Sequence, residues 1–225
     1  MKSKKKGGGN GMTEKERFNS KYSKHVLEKK LISDYIKENI QVKKEIVKNK
    51  VEIINQIAKE IINAYKLKNK VLWFGNGGSA ADAQHLACEL VGKFYLQRNA
   101  LASIALTTNT SELTAIANDY DFDQVFARQV EALVNPGDVI IGISTSGNSN
   151  NVINGIKEAK RRGAITVAFT GVSGGKLEGD GNVDYLLTVP SKDTPHIQES
   201  HIMIGHIICY LVEKELFGGQ NDYQA

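Results

Sequence analysis

Residues 137–152 read GDVIIGISTSGNSNNV, an apolar run that ends in a dense cluster of small hydroxyl and amide side chains. Val139, Ile140, Ile141 and Ile143 are β-branched, so residues 138–144 predict a strand, and the pattern over 149–161 predicts a helix. Between the two stand Ser144, Thr145, Ser146 and Ser149, flanked by Asn148 and Asn150. Such a junction is either an ordinary polar turn, in which Ser or Asn merely caps the helix, or a cradle for an anion. Unpaired backbone N–H groups and the helix dipole favour the second at any strand-to-helix turn.

The same unit recurs along the chain. VLWFG (71–75), ASIAL (102–106), ITVAFTG (165–171) and VDYLLTV (183–189) predict four further strands, and helical patterns lie at 79–95, 111–118, 122–134 and 196–216. Strands alternating with helices predict an α/β fold, a three-layer sandwich with a five-stranded parallel sheet flanked by helices. In such sheets ligands bind beyond the carboxyl ends of the strands. Two of those ends are alike, because GNGGSAADAQH (75–85) closes the first strand much as STSGNSNNV closes the third. One glycine-rich junction is a weak signal of phosphate binding; two in one sheet reinforce each other. GNGGSA lacks the last glycine of G-x-G-x-x-G, and G-x-x-x-x-G-K-[ST] does not occur, which disfavours nicotinamide and ATP.

Ahead of the sheet, Glu14 to Lys68 contains no Pro or Gly, and Ile46, Val51, Ile54, Ile57, Ile61 and Ala64 recur mostly at threes and fours. Two amphipathic helices are expected, as a packing or oligomerisation layer. The division is therefore a basic leader over 1–12, helices over 13–68 belonging to the same domain, and the α/β domain over 69–219. The leader MKSKKKGGGNG carries four lysines; of 29 basic residues, 25 remain without them against 25 acidic ones. The folded part is thus neutral, and no nucleic-acid footprint is expected. No apolar window long enough for a membrane span and no signal-peptide core occur, so a cytoplasmic protein is expected. Cys88 and Cys209 both sit in apolar helical patterns and are expected to be buried thiols.

Two helices carry polar residues against an apolar background. Gln84, His85 and Glu89 follow the first loop, and His85 and Glu89, four apart, share a helix face. In HIQESHIMIGHIICYLVEKEL (196–216), Gln198 and His206 are eight apart, close to two turns. A His and a Glu on one helix with a His elsewhere can bind Zn²⁺ or act as base and acid. The alternative is an on-helix ion pair and a core histidine with one hydrogen bond, a reading that suits His201 best.

GNGGSAADAQH, GDVIIGISTSGNS, TGVSGGKL and IQESHIMIGH together resemble the sugar isomerase (SIS) domain, and within it the bacterial phosphoheptose isomerases. The resemblance runs from roughly Lys30 to Phe217. It implies conversion of the ketose sedoheptulose 7-phosphate into the aldose D-glycero-D-manno-heptose 7-phosphate, on the way to nucleotide-activated heptose for lipopolysaccharide. It also implies a homotetramer with active sites between subunits and one Zn²⁺ per subunit. Carried over by position, Ser79, Ser144, Thr145, Ser146 and Ser149 are phosphate and sugar contacts, joined by Asn76, Gly77, Gly78, Asn118, Asp119 and Gln198. His85, Glu89, Gln198 and His206 take the metal positions, with Glu89 as base and His206 as acid.

The residue types suit the reaction. Moving a carbonyl from C2 to C1 means taking a proton from C1 and returning one at C2, through an enediol that bears negative charge on oxygen. One carboxylate can shuttle that proton. The chain departs from the family pattern at Lys93 and His196, where arginine is common, and at Asn109, where aspartate is common. A replication-initiator-binding scaffold of the same fold resembles LTAIAND (113–119) as well. Its relatives lack the carboxylate and imidazole found here at Glu89 and His206, which separates the two readings.

Overall fold

The computed structural model describes the backbone of residues 14–219 and the side chains from residue 26 onward; the expected leader over 1–12 lies outside the described residues. The described residues divide between Gln41 and Val42 into an N-terminal helical unit and a compact body. Two helices, α1 (Glu14–Asn49) and α2 (Val51–Lys66), lead into β1 (Val71–Gly75), α3 (Gly78–Val91), β2 (Ser103–Ala105), α4 (Thr110–Asp119) and α5 (Val125–Leu133). Then come β3 (Val139–Ile143), α6 (Asn150–Arg161), β4 (Ile165–Thr170), β5 (Tyr185–Thr188) and α7 (Thr194–Phe217). All four strand pairings are parallel, in the order β2-β1-β3-β4-β5.

Alternation within each strand builds two apolar layers. Val71, Trp73, Ile141, Ile143, Val167 and Phe169 point to one face, where they meet α2, α3 and α7; Leu72, Phe74, Ile140 and Ala168 point to the other, beneath α5 and α6. Every residue of β1 and β3 is buried. Period-two alternation with both faces apolar is what a sheet covered on both sides requires. Trp73 buries its ring fully and donates its indole N–H to Ser103 Oγ at 3.0 Å, tying β1 to β2. Asp138, buried just before β3, accepts from the Lys70 N–H, the Lys70 ammonium and the Asn135 N–H, which fixes the start of both central strands.

Three boundaries differ from those expected. The edge strands are shorter than their apolar runs, since each has a neighbour on one side only; β2 pairs three residues with β1. The helix expected over 79–95 stops at Val91, because residues 94–96 turn their N–H groups away to a carboxylate from α7. A short 3₁₀ turn over Phe122–Gln124, capped by Asp121, precedes α5 where one helix was expected. Both cysteines are free, but only Cys209 is buried. Cys88 is exposed because α3 buries Ala83, Leu86, Ala87 and Leu90, and Cys88 lies on the outward side.

Candidate active site

The strand order reverses direction between β1 and β3, and the crevice at such a switch point is where open α/β sheets bind ligands. The two loops singled out in the sequence flank that crevice. After β1 the backbone turns at Asn76, whose carbonyl accepts from the Ser79 N–H at 3.0 Å, so α3 starts at once and Ser79 is buried in its first turn. Gly77 and Gly78 are exposed at the helix mouth. After β3, Ser144 is buried with its hydroxyl 3.1 Å from that of Ser149, the N-cap of α6. Thr145 and Ser149 are half-buried and Ser146 is exposed.

A third segment holds the hydroxyl loop in shape. The Gly171 N–H donates to the Thr145 carbonyl at 2.9 Å, and the Lys176 N–H donates to Asn148 Oδ1 at 3.0 Å. Gly147 has φ +66, and a Cβ there would meet the Gly174 carbonyl oxygen at 1.9 Å, so only glycine fits between the two loops. TGVSGGKL therefore acts as a backstop for STSGNS.

Helices α3 and α7 lie side by side in the same direction, as three successive contacts show. The Gln198 amide rests on Gly78, where a Cβ would come within 2.5 Å of its Nε2. Two turns on, Leu86 packs on Gly205, where a Cβ would meet Leu86 Cδ1 at 2.4 Å. Beyond α3, Glu213 accepts from the N–H groups of Phe94, Tyr95 and Leu96 and from Arg98 Nε. The close approach brings the predicted polar residues together. His85 Nε2 lies 3.0 Å from Glu89 Oε1, and His206 Nε2 lies 3.1 Å from His85 Nε2.

The ligating atoms of His85, Glu89 and His206 all fall within 4.8 Å of one another. A tetrahedral ion at the usual Zn–N and Zn–O lengths sets neighbouring ligand atoms about 3.3 Å apart, so these donors suit zinc in type, and the two contacts made by His85, at 3.0 and 3.1 Å, match that spacing. The trio is partly exposed, with the Phe94 ring 5.7 Å from that of His206. Gln198, near the start of α7, rests its amide on Gly78, seven residues before His85 on α3, and is not gathered with the trio.

Other expected positions fall outside this cluster. Asn118 and Asp119 end α4 on the surface, the amide donating to the carboxylate at 2.8 Å. Asn109 caps α4 by accepting from the Glu112 N–H at 3.3 Å. His196 is buried, with Nε2 3.6 Å from Asp193 Oδ2. His201 is the core histidine with one hydrogen bond: Nε2 meets the Thr170 carbonyl at 3.1 Å, and burial pushes its pKa down to about 4.

Sequence reasoning missed the groups that hold the site in place. Arg98, whose side chain is buried, donates to the carbonyls of Glu89 and Leu90 at 2.9 Å each, capping the end of α3 while paired to Glu213. Burial opposes ionisation of Glu213, but the three backbone N–H groups and the guanidinium outweigh it and hold its carboxyl below the usual range. Asp82, three residues before His85, has a buried Oδ2 with no hydrogen-bond partner among the described residues; burial, partly offset by His85, raises its pKa to about 6. Asn151, in the first turn of α6, pairs with Asn76. Its one sequence signal was a second asparagine directly after the N-cap run.

The SIS domain family profile matches residues 34–171. A phosphoheptose isomerase of Clostridium acetobutylicum is 54% identical over 196 residues, spanning 86% of this chain and 99% of its own length. Among solved structures, the phosphoheptose isomerase of Neisseria gonorrhoeae superposes with a TM-score of 0.78 at 44% identity, covering 83% of this chain and 98% of that one. That of Francisella tularensis superposes at 0.79 with 37% identity, covering 84% and 98%. Matched by the family over more than half of its length, and by relatives of this identity that it covers almost end to end, the chain belongs to the phosphoheptose isomerase family of SIS-domain proteins.

Proposed function

We propose that this protein is an aldose–ketose isomerase that converts sedoheptulose 7-phosphate into D-glycero-D-manno-heptose 7-phosphate. The observation that carries the reading is the placement of two anion-seeking junctions at the switch point with an ionisable His–Glu–His cluster further along the same helix. Gly78 and His85 are separated by about 10 Å of helix rise, the scale of an extended seven-carbon sugar phosphate. The phosphate is gripped by Ser79 and the hydroxyls of Ser144, Thr145, Ser146 and Ser149 together with the N–H groups opening α3 and α6, as anions are at helix N-termini.

Glu89 has one carboxylate oxygen, Oε1, facing His85. Its Oε2 is the acceptor of the C1 proton and returns it to C2 of the enediol, and one carboxylate serves both half-reactions. His206 exchanges protons with the carbonyl and hydroxyl oxygens. His85, Glu89 and His206 would hold a Zn²⁺ ion, which would supply Lewis-acid polarisation of the carbonyl; Gln198, whose amide lies against Gly78, would have to swing towards the trio to add a fourth ligand. A ring nitrogen of His206 given to the metal cannot deliver a proton, so in that state the shuttle rests on Glu89.

The retained carboxylate and imidazoles favour the enzyme over a scaffold, which has no use for an ionisable cluster in a polar pocket. A homotetramer with sites between subunits is supported by exposed apolar side chains on α1 (Leu27, Leu31, Ile32, Ile36) and by exposed Val91, Tyr95 and Ile207 near the cluster. Among the described residues no helix is long and apolar enough to cross a membrane, in keeping with a cytoplasmic role in making activated heptose for surface glycans. The test is purified protein incubated with sedoheptulose 7-phosphate, with aldose followed in time. Turnover that falls on chelation and returns with Zn²⁺ is expected; absence of aldose under all conditions overturns the assignment.

A further inference from the structure

The two phosphate loops come from different strands, and nothing in the parallel sheet alone sets the gap between their helices. One side-chain pair spans it. Asn76 Nδ2 donates to Asn151 Oδ1 at 2.8 Å, and Asn151 Nδ2 donates back to Asn76 Oδ1 at 2.9 Å, a closed head-to-head amide pair. Asn151 is 2% exposed, and its Oδ1 also accepts from the Val152 N–H at 2.9 Å, so its amide is locked to the first turn of α6. Asn76 is half-buried, and its backbone carbonyl receives the Ser79 N–H that starts α3. The pair thus joins the opening turns of the two helices whose N-termini face the crevice.

A primary amide has two N–H donors. The pair uses one from Asn76 and leaves the other, in an orientation that Asn151 dictates, at the mouth of the site. We propose that Asn151 is a positioning residue for the substrate phosphate: acting through Asn76, it sets the spacing of the α3 and α6 N-termini so that both donate to one phosphate, and it fixes the orientation of the Asn76 amide. This rests on the phosphate-loop reading above. Asn151 reaches the ligand only by way of Asn76 and takes no part in the proton shuttle, so its loss weakens phosphate affinity and spares the chemical step.

The experiment measures kcat, KM for sedoheptulose 7-phosphate and the competitive Ki of inorganic phosphate for the native protein, Asn151→Ala, Asn151→Asp, Asn76→Ala and the double alanine variant. Losing two neutral hydrogen bonds in a partly closed site predicts a rise of about tenfold in KM and Ki for Asn151→Ala, with kcat within about threefold. The isosteric Asn151→Asp keeps the shape but can donate no hydrogen to Asn76 and adds a negative charge facing the phosphate; it is expected to raise Ki at least as much. Because Asn151 works through Asn76, the double variant should be no worse than the poorer single one. Additive losses, a Ki unchanged in both Asn151 variants, or a fall in kcat at constant KM would each overturn the proposal. Failure of inorganic phosphate to compete in the native protein would instead remove the phosphate-loop reading itself.

Discussion

Glu89 occupies its position because two neighbours hold its surroundings from opposite sides: His85 one turn before it, and the Arg98 guanidinium on its own backbone carbonyl. Glu89→Gln keeps the shape and removes the proton acceptor, so kcat should drop by about 10³-fold or more with unchanged far-ultraviolet dichroism; a variant of near-native kcat would free Glu89 of the role. Ser146→Ala removes an exposed hydroxyl from the loop and should chiefly raise KM, by several-fold, with kcat little changed. His201 predicts a pH effect of defined sign. It stays neutral in the fold down to about 4, whereas its ordinary value is 6.5, so the unfolded chain binds more protons between those limits. Stability present above pH 6.5 is therefore lost as pH falls towards 4, by about 3 kcal/mol in all. Urea unfolding at the two ends of that window should show a smaller loss for His201→Gln than for the native chain.

At the scale of elements, the decisive contact is that of α3 with α7. Gly205 is one point of close approach, where an added methyl would meet Leu86 at 2.4 Å. Gly205→Ala should separate the helices near the His85–His206 contact, costing about 1–3 kcal/mol of stability and weakening Zn²⁺ binding as read by competition with a chromogenic chelator. A variant with native metal affinity would show that the helix spacing does not set the cluster. The sequence made His85, Glu89 and His206 legible as polar residues on apolar helices, because periodicity assigns faces. It could not show which faces meet, since that depends on two glycines whose meaning appears only in packing. The expected α3 runs too long because it passes through Gly92, a local stop signal at its C-cap; the Glu213 carboxylate that takes the N–H groups beyond it is distant in sequence and was not legible.

For the molecule as a whole, the alternation of apolar strands and helices sufficed to predict a doubly covered parallel sheet, because buried parallel strands must be apolar on both faces. The strand order was not legible, yet it is what makes the two loops neighbours. Asn76 and Asn151, 75 positions apart in the chain, meet only because β1 and β3 are adjacent. The row of exposed apolar residues on α1 suits the proposed assembly of several copies. Light scattering should give the mass of four copies, and Leu31→Glu with Ile32→Glu should lower it; a monomeric native protein would contradict the assembly. The proposed reaction depends on where the substrate lies. A crystal structure of Glu89→Gln soaked with sedoheptulose 7-phosphate should place the phosphate among Ser79, Ser144, Ser146 and Ser149, with C1 and C2 beside residue 89 and His206. A phosphate bound elsewhere, or carbons one and two remote from those side chains, would contradict it.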